Sequence, residues 1–227
     1  DSTGLMLETV EDIEGTAEVA LKHGFQVNTH AIGDRANREV LDIFEEAFNA
    51  HPDKEDLRWR IEHSQHLHPD DIPRFADLDV IAAMQAIHCT SDAPFVVKRL
   101  GEKRAREGAY PWRSLLDAGA VVTNGTDAPV EDVSPIESYY ATVTRKRPGE
   151  DFAFFPEQAM TREEAIYSYT MANAFAGFEE DIKGSLKEGK LADIVVLSND
   201  LTQCAEADIL ETEVLMTFVG GEVKYEK

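Results

Sequence analysis

The chain has 227 residues, and its 22 basic residues against 44 acidic ones give a formal net charge of -22. A surface this acidic repels the phosphates of nucleic acids and of anionic lipids, so we expect neither a nucleic acid nor a membrane as a partner. The length suits one domain or one and a half. Because the acidic residues are spread along the whole chain, we interpret them as the solvated surface of a halophilic protein from a high-salt cytoplasm.

The cysteines and the hydropathy pattern favour a cytoplasmic location. Cys89 and Cys204 lie far apart, and neither has the spacing of a metal-binding or redox motif, so we expect reduced thiols. No stretch approaches the ~18 consecutive apolar residues of a membrane-spanning helix. We therefore predict a cytoplasmic protein.

The predicted elements alternate between helix and strand. Helices are predicted from apolar residues at helical spacing, and strands from short apolar runs between turn signals. In order, we predict a helix at 12–23, a strand at 25–30, a helix at 40–48, a strand at 57–63, a short helix from Pro69, a strand at 80–85, a long polar connection at 91–108, a helix at 112–118 and a strand at 120–127.

The remaining sequence predicts more helices and then a change of character. Ser134 and Thr161 each stand three residues before a glutamate, the pattern of a capping box, so each should begin a helix. Beyond Ile182, glycines punctuate the chain, and residues 193–197, 214–219 and 222–225 have the pattern of strands. We expect this tail to be a small all-β module.

The spacing of the first four strands predicts an α/β fold. Each strand is followed by helical sequence, as in a βα unit with parallel strands. Four parallel strands alone would leave two exposed edges, and a complete (β/α)₈ barrel needs about 250 residues. We therefore expect the second half of such a barrel, with the first half missing from this chain.

Three of the predicted strands end in side chains that can bind a metal ion. Polar residues at the carboxyl ends of parallel strands are where α/β folds build their active sites. This placement predicts a hydrolytic metal site, and the three residues are His30, His63 and Asp127.

Five segments resemble the amidohydrolase superfamily, in particular family 3 amidohydrolases of the N-substituted formamide deformylase type. They are His-Ala-Ile-Gly-Asp-Arg-Ala from His30, Arg-Ile-Glu-His up to His63, Met-Gln at 84–85 with His88, Gly-Thr-Asp-Ala-Pro-Val around Asp127, and the segment at 184–197. The resemblance covers essentially the whole chain. It implies barrel strands five to eight in residues 1–182 and the C-terminal strands of a small β-sandwich in residues 183–227.

The resemblance also implies roles for single residues. His30 and His63 correspond to metal ligands, Asp127 to a ligand that also moves a proton, and His88 to a histidine that faces the substrate. The family's His-x-His on strand one and its bridging lysine on strand four have no match in this chain. We therefore expect one or two divalent ions, most simply Zn²⁺, in the full-length enzyme, and an inactive isolated chain.

The chemistry of these side chains agrees with a hydrolase of non-peptide carbon–nitrogen bonds, of amide or formamide type. Imidazoles and a carboxylate hold Zn²⁺ with open positions, and the ion lowers the pKa of a bound water toward ~7. Asp127 can take the proton of that metal-activated water and deliver it to the leaving nitrogen. The expected partners are a small-molecule substrate and further copies of the chain in a homo-oligomer.

Several alternatives stay open at this point. A deaminase of heterocycles and a non-catalytic regulatory or scaffold relative are the other functions that the superfamily offers. A histidine at a strand end is often only hydrogen-bonded, and Asp127 could cap its loop. His88 could bond within its loop instead of contacting a substrate or an oxyanion. For His66 and His68 we predict a surface role.

Overall fold

The computed structural model describes residues 3–227, which divide into two compact units. The first contains the chain up to Met84 and Asp92–Val122, and the second contains Gln85–Ser91 and Thr123–Lys227. Within the described range, no helix combines the length and the apolar character that crossing a membrane requires. The predicted division into residues 1–182 and 183–227 stays a prediction.

A parallel sheet forms the centre of the first unit, as predicted. Strands β1 (Asn28–Ala31), β2 (Arg60–His63) and β3 (Ile81–Met84) pair in parallel and in sequence order. The Ala82 amide donates to the Val121 carbonyl at 3.0 Å, just before β4 (Val122–Asn124) begins. β1 and β4 are shorter than the predicted strands at 25–30 and 120–127. β1 ends at Ala31, just after His30, and β4 ends at Asn124, before Asp127.

Helices alternate with these strands, beginning with one before β1. They are α1 (Val10–His23), α2 (Asp34–Ala50), α3 (Ile72–Asp77), α4 (Ala86–Leu100), α5 (Glu102–Gly108) and α6 (Trp112–Asp117). α2 buries Val40, Leu41 and Phe44, and the Phe44 ring lies 4.9 Å from that of Trp59 in an edge-to-face contact. This apolar layer between α2 and the sheet is the packing that an α/β fold requires.

The predicted polar connection at residues 91–108 is wrong, because α4 and α5 occupy that stretch. Apart from Asp92, its charged residues are exposed, and the buried apolar side chains within it are Val96 and Ala105. Pro94 also stands inside α4. With so few apolar positions and an internal proline, the helical period could not be recognised in the sequence.

The second unit contains the start of α4 and also α7 (Pro135–Thr144), α8 (Arg162–Tyr169) and α9 (Met171–Ala176). Thr161 forms the predicted capping box: its Oγ1 accepts from the Glu164 amide at 3.2 Å, and Glu164 Oε2 accepts from the Thr161 amide at 2.8 Å. The capping box predicted at Ser134 is wrong, since its side chain makes no cap bond. Its amide donates instead to Asp132 Oδ1 at 2.8 Å.

The C-terminal tail forms the predicted strands. β5 (Ile194–Leu197), β6 (Val214–Val219) and β7 (Glu222–Glu226) make an antiparallel sheet in that order. Gly220 and Gly221 join β6 to β7 with φ values of 58° and 82°, which glycine adopts without steric cost. A complete β-sandwich around this sheet stays a prediction.

Candidate metal centre

The first unit brings His30 and His63 together. Their ring centroids lie 4.4 Å apart with an interplanar angle of 71°. His30 is the third residue of β1 and His63 is the last residue of β2. The two predicted ligands therefore share one region of this unit.

Register alone would not produce this contact. His63 lies opposite Ala31, whereas His30 lies opposite Glu62. Since paired residues of parallel strands point to the same face and successive residues alternate, an undisturbed pleat would direct the two histidines to opposite faces. His63 instead has a left-handed backbone, with φ of 76°. This departure from the extended conformation lets its ring meet that of His30.

Two hydrogen bonds hold the turn after His63. Ser64 is also left-handed, with φ of 44°, and its Oγ donates to the Ile61 carbonyl at 2.9 Å. The His66 amide donates to the Ile32 carbonyl at 2.9 Å, in the loop that follows β1. A left-handed backbone at a non-glycine residue costs about 1–3 kcal/mol, so these contacts must offset that cost at two successive positions.

A buried polar network lies next to this turn. Gln65 Nε2 donates to Asp92 Oδ2 at 2.7 Å and to the Tyr110 hydroxyl at 2.5 Å, and that hydroxyl donates to Asp92 Oδ2 at 2.5 Å. The Tyr110 amide also donates to the Gln65 carbonyl at 2.8 Å. Gln65 and Tyr110 are buried, so each bond compensates for a desolvated polar group. The network fixes the segment that follows His63.

His66 does not have the predicted surface role. Its ring contacts that of Tyr110, with the centroids 5.4 Å apart, and burial lowers the pKa of its imidazole to about 4. His68 is exposed, as predicted, and its Nδ1 accepts from the Asp70 amide at 3.2 Å at the start of a short 3₁₀ helix (Pro69–Asp71). The sequence could not separate the two, because burial of His66 depends on Tyr110, distant along the chain.

The second unit places His88 beside Asp127. His88 lies in the first turn of α4 and is 8% exposed. Its Nε2 is 3.4 Å from Asp127 Oδ2. Asp127 lies beyond the end of β4 at Asn124, so the predicted strand through Asp127 is wrong. It has φ of 57°, and its carbonyl accepts from the Val130 amide at 2.8 Å.

Asn124 connects the segments that carry these two side chains. Its Oδ1 accepts from the Ala86 amide at 3.1 Å, at the start of α4, and its Nδ2 donates to Ser168 Oγ at 2.9 Å. Asn173 Nδ2 donates to the Asn124 carbonyl at 3.0 Å. The last residue of β4 thereby holds the beginning of α4 at a fixed position within the second unit.

Glu131 is a site residue that the sequence analysis missed. Its Oε1 lies 3.1 Å from His88 Nδ1, on the ring nitrogen that does not face Asp127. The available signal was its position four residues after Asp127, but the surrounding loop is rich in acidic residues. Nothing in the sequence distinguishes Glu131 from Asp132 next to it.

The side chains present are of the kinds that hold a divalent ion. The first unit offers two imidazoles in contact, and the second offers an imidazole beside a carboxylate. Imidazole nitrogen and carboxylate oxygen are, together with thiolate, the common protein ligands of Zn²⁺. The donor chemistry therefore fits a metal of this class.

The chain matches the Amidohydrolase family over residues 2–225. Among curated proteins, it is 39% identical over 222 residues to Protein LONG AFTER FAR-RED 3 of Arabidopsis thaliana, covering 98% of this chain and 38% of that protein. It is 30% identical to N-substituted formamide deformylase of Arthrobacter pascens, covering 95% of this chain and 39% of that protein. The chain thus spans about two-fifths of the length of these relatives.

Two solved structures show the same fold. An uncharacterized metal-dependent hydrolase from Pyrococcus horikoshii OT3 aligns with a TM-score of 0.78 and 28% identity, over 91% of this chain and 40% of that one. A mutant atrazine chlorohydrolase from Arthrobacter aurescens TC1, complexed with zinc and atraton, aligns with a TM-score of 0.62 and 22% identity, over 96% of this chain and 48% of that one. Because the family match covers nearly the whole length of the chain, the chain belongs to the amidohydrolase family.

Proposed function

We propose that this chain is the C-terminal portion of a metal-dependent hydrolase that cleaves non-peptide carbon–nitrogen bonds of amide or formamide type. The observation that carries the proposal is the contact between His30 and His63, whose rings meet at 4.4 Å at the ends of two neighbouring parallel strands. Membership of the amidohydrolase family supports the reaction class, and the likeness to N-substituted formamide deformylase supports the bond type.

In this proposal, His30, His63 and Asp127 bind the metal, and Zn²⁺ is the proposed ion. Zinc is supported by the imidazole and carboxylate donors and by the zinc in the related atrazine chlorohydrolase structure. When bound, such an ion polarises the substrate carbonyl and lowers the pKa of a coordinated water.

Asp127 serves as base and then as acid. Its side chain is 37% exposed, so a water and a substrate can reach it. The carboxylate accepts a proton from water as the carbon–oxygen bond forms, and then delivers that proton to the nitrogen as the carbon–nitrogen bond breaks. His88, within 3.4 Å of Asp127, contacts the substrate oxygen in this scheme.

The complete site needs residues outside this chain. Because the relatives are more than twice as long, we propose that a further segment supplies the His-x-His and the bridging lysine of the family. The isolated chain is then inactive and self-associates through its open strand edges. A small molecule is the proposed substrate, and a homo-oligomer in the cytoplasm the proposed state of the enzyme.

The test compares the isolated chain with the chain co-expressed with the segment encoded upstream of it. Hydrolysis of N-substituted formamides should occur only in the co-expressed sample and should stop on chelation. Asp127→Asn should then lower turnover by about 10²–10⁴-fold, while part of the metal stays bound. Chelator-sensitive hydrolysis by the isolated chain would contradict the proposed missing segment. A complete, metal-loaded protein that hydrolyses no amide would favour a regulatory relative.

A further inference from the structure

Asn37 is a polar side chain buried among main-chain carbonyl groups. It lies in the first turn of α2 and is 0% exposed. Its Nδ2 donates to the Gly33 carbonyl at 2.9 Å and to the Ala31 carbonyl at 3.1 Å, and it contacts the His66 carbonyl at 3.4 Å, the weakest of the three. Because all three groups are acceptors, the amide must present its nitrogen to them.

These contacts join the end of β1 to the chain that follows β2. Ala31 is the last residue of β1, and Gly33 comes two residues later. The Ile32 carbonyl between them accepts from the His66 amide at 2.9 Å. Both main-chain polar groups of His66 therefore face the end of β1. By holding the carbonyls on either side of Ile32, Asn37 directs the Ile32 carbonyl at the His66 amide.

The end of α5 contacts the chain around His66 through the neighbouring residues. The Leu67 amide donates to the Gly108 carbonyl at 2.9 Å, and the Tyr110 amide donates to the Gln65 carbonyl at 2.8 Å. A Cβ atom at Gly108 would lie 1.9 Å from the Leu67 carbonyl oxygen, so the two segments approach too closely for a side chain there. The chain after β2 is thus held on one side by α5 and on the other by the end of β1.

This arrangement bears on the direction of the His63 ring. His63 and Ser64 are both left-handed, with φ of 76° and 44°. Such a backbone persists only when the surrounding structure holds it in place. The edge-to-face contact of His63 with His30 depends on it. A side chain that fixes the residues just beyond Ser64 therefore also helps to fix this contact.

We propose that Asn37 is a positioning residue that fastens the end of β1 to the chain after β2 and thereby keeps the rings of His30 and His63 in contact. It acts on the rings through the backbone, because its Nδ2 bonds to main-chain carbonyls. The inference rests on the proposed function for its consequence, which is metal binding by the two histidines. The fastening itself does not depend on that function.

Hydrogen exchange followed by mass spectrometry tests the fastening in the complete protein without metal. Asn37→Ser keeps a hydroxyl that can bond to the carbonyl four residues earlier, on Gly33, but is too short to reach Ala31 or His66. We expect the amides of residues 64–68 to exchange about tenfold faster in this variant, because the loss of a hydrogen bond to a buried group changes an opening equilibrium by about that factor. Asn37→Leu, which removes both donors, should show at least the same increase, and Asn37→Ser carries the test if Asn37→Leu does not fold.

Ile43→Ala is the matched control for lost stability. Ile43 is a buried residue of the same helix, and its truncation removes apolar contacts instead of a hydrogen bond. The urea midpoint should fall at least as far as in Asn37→Ser, whereas exchange at residues 64–68 should keep the wild-type rate, since local opening is separate from global unfolding. Wild-type exchange in Asn37→Ser would overturn the proposal, as would an equal increase in Ile43→Ala.

Metal binding tests the consequence in the complete protein. With Co²⁺, Asn37→Ser should bind the ion about tenfold more weakly than the wild type, at the lower end of the range for groups that orient metal ligands. The visible absorption of the bound Co²⁺ should change as well, whereas Ile43→Ala should keep the wild-type spectrum. Faster exchange in Asn37→Ser of a protein that binds no metal would support the fastening and reject the proposed function. A wild-type spectrum and affinity in Asn37→Ser, despite faster exchange, would overturn the role of Asn37 in positioning the histidines.

Discussion

The imidazole rings of His30 and His63 meet edge to face, with centroids 4.4 Å apart, although the strand register places His63 opposite Ala31. The contact depends on the left-handed backbone at His63, where φ is 76°. A strained residue at the end of a strand persists only when its surroundings hold it in place. Here the strain brings two potential metal ligands together.

His30→Asn and His63→Asn should each weaken metal binding, because each removes one imidazole ligand. We expect a loss of more than about tenfold in affinity for Zn²⁺, or for Co²⁺ as a coloured substitute, measured by titration of the complete protein. His68→Asn is the matched control, since His68 is exposed and caps a short helix. Equal affinities in His30→Asn and His68→Asn would rule out His30 as a ligand.

His66 should make stability depend on pH in a defined range. Burial lowers the pKa of its imidazole from 6.5 to about 4, so the unfolded chain binds the proton more readily than the folded one. The free energy of unfolding is therefore highest above pH 6.5, where His66 is neutral in both states. It falls as the pH drops from 6.5 toward 4, and the loss due to His66 is at most ~3 kcal/mol.

Urea unfolding at pH 7.5 and pH 4.5 measures this effect. His66→Gln should show a smaller loss of unfolding free energy between the two pH values than the wild type does. His68→Gln, at an exposed position, should keep the wild-type dependence. If His66→Gln and the wild type lose the same free energy, the pKa of His66 is not lowered in the folded protein.

Tyr110→Phe should destabilise the fold through the loss of one hydroxyl. That hydroxyl accepts from Gln65 at 2.5 Å and donates to Asp92 at 2.5 Å, whereas Gln65 and Asp92 keep their own bond of 2.7 Å. We expect a cost of about 1–3 kcal/mol in chemical unfolding. Tyr225→Phe, on a tyrosine that is 47% exposed, should cost less than about 0.5 kcal/mol. Similar costs for the two variants would contradict the role of the network.

Salt should stabilise the protein. The acidic side chains that give the formal net charge of -22 repel one another most strongly at low ionic strength. Salt screens this repulsion, because the Debye length falls from ~30 Å at 0.01 M salt to ~3 Å at 1 M. The melting temperature, followed by circular dichroism, should rise clearly between 0.01 M and 2 M KCl. A melting temperature that stays constant over this range would reject the halophilic interpretation.

Much of the fold could be predicted because local signals and periodicity agreed. The helix at Val10–His23 has Gly24 as its stop, and the helix at Arg162–Tyr169 has its capping box at Thr161. The two failures have different causes. α4 and α5 bury few apolar side chains, and Ser134 has the residue type of a cap but bonds through its amide instead.

The sequence by itself determined the parallel α/β class, the acidic surface and the residue types of the candidate site, because these follow from periodicity, composition and motif order. Only the tertiary structure decided how His63 meets His30 and which partner faces each nitrogen of His88. Those relationships depend on a left-handed φ at a strand end and on a loop that brings Glu131 to a helix more than 40 positions earlier. Burial and backbone strain arise from contacts between distant segments, so no local pattern encodes them.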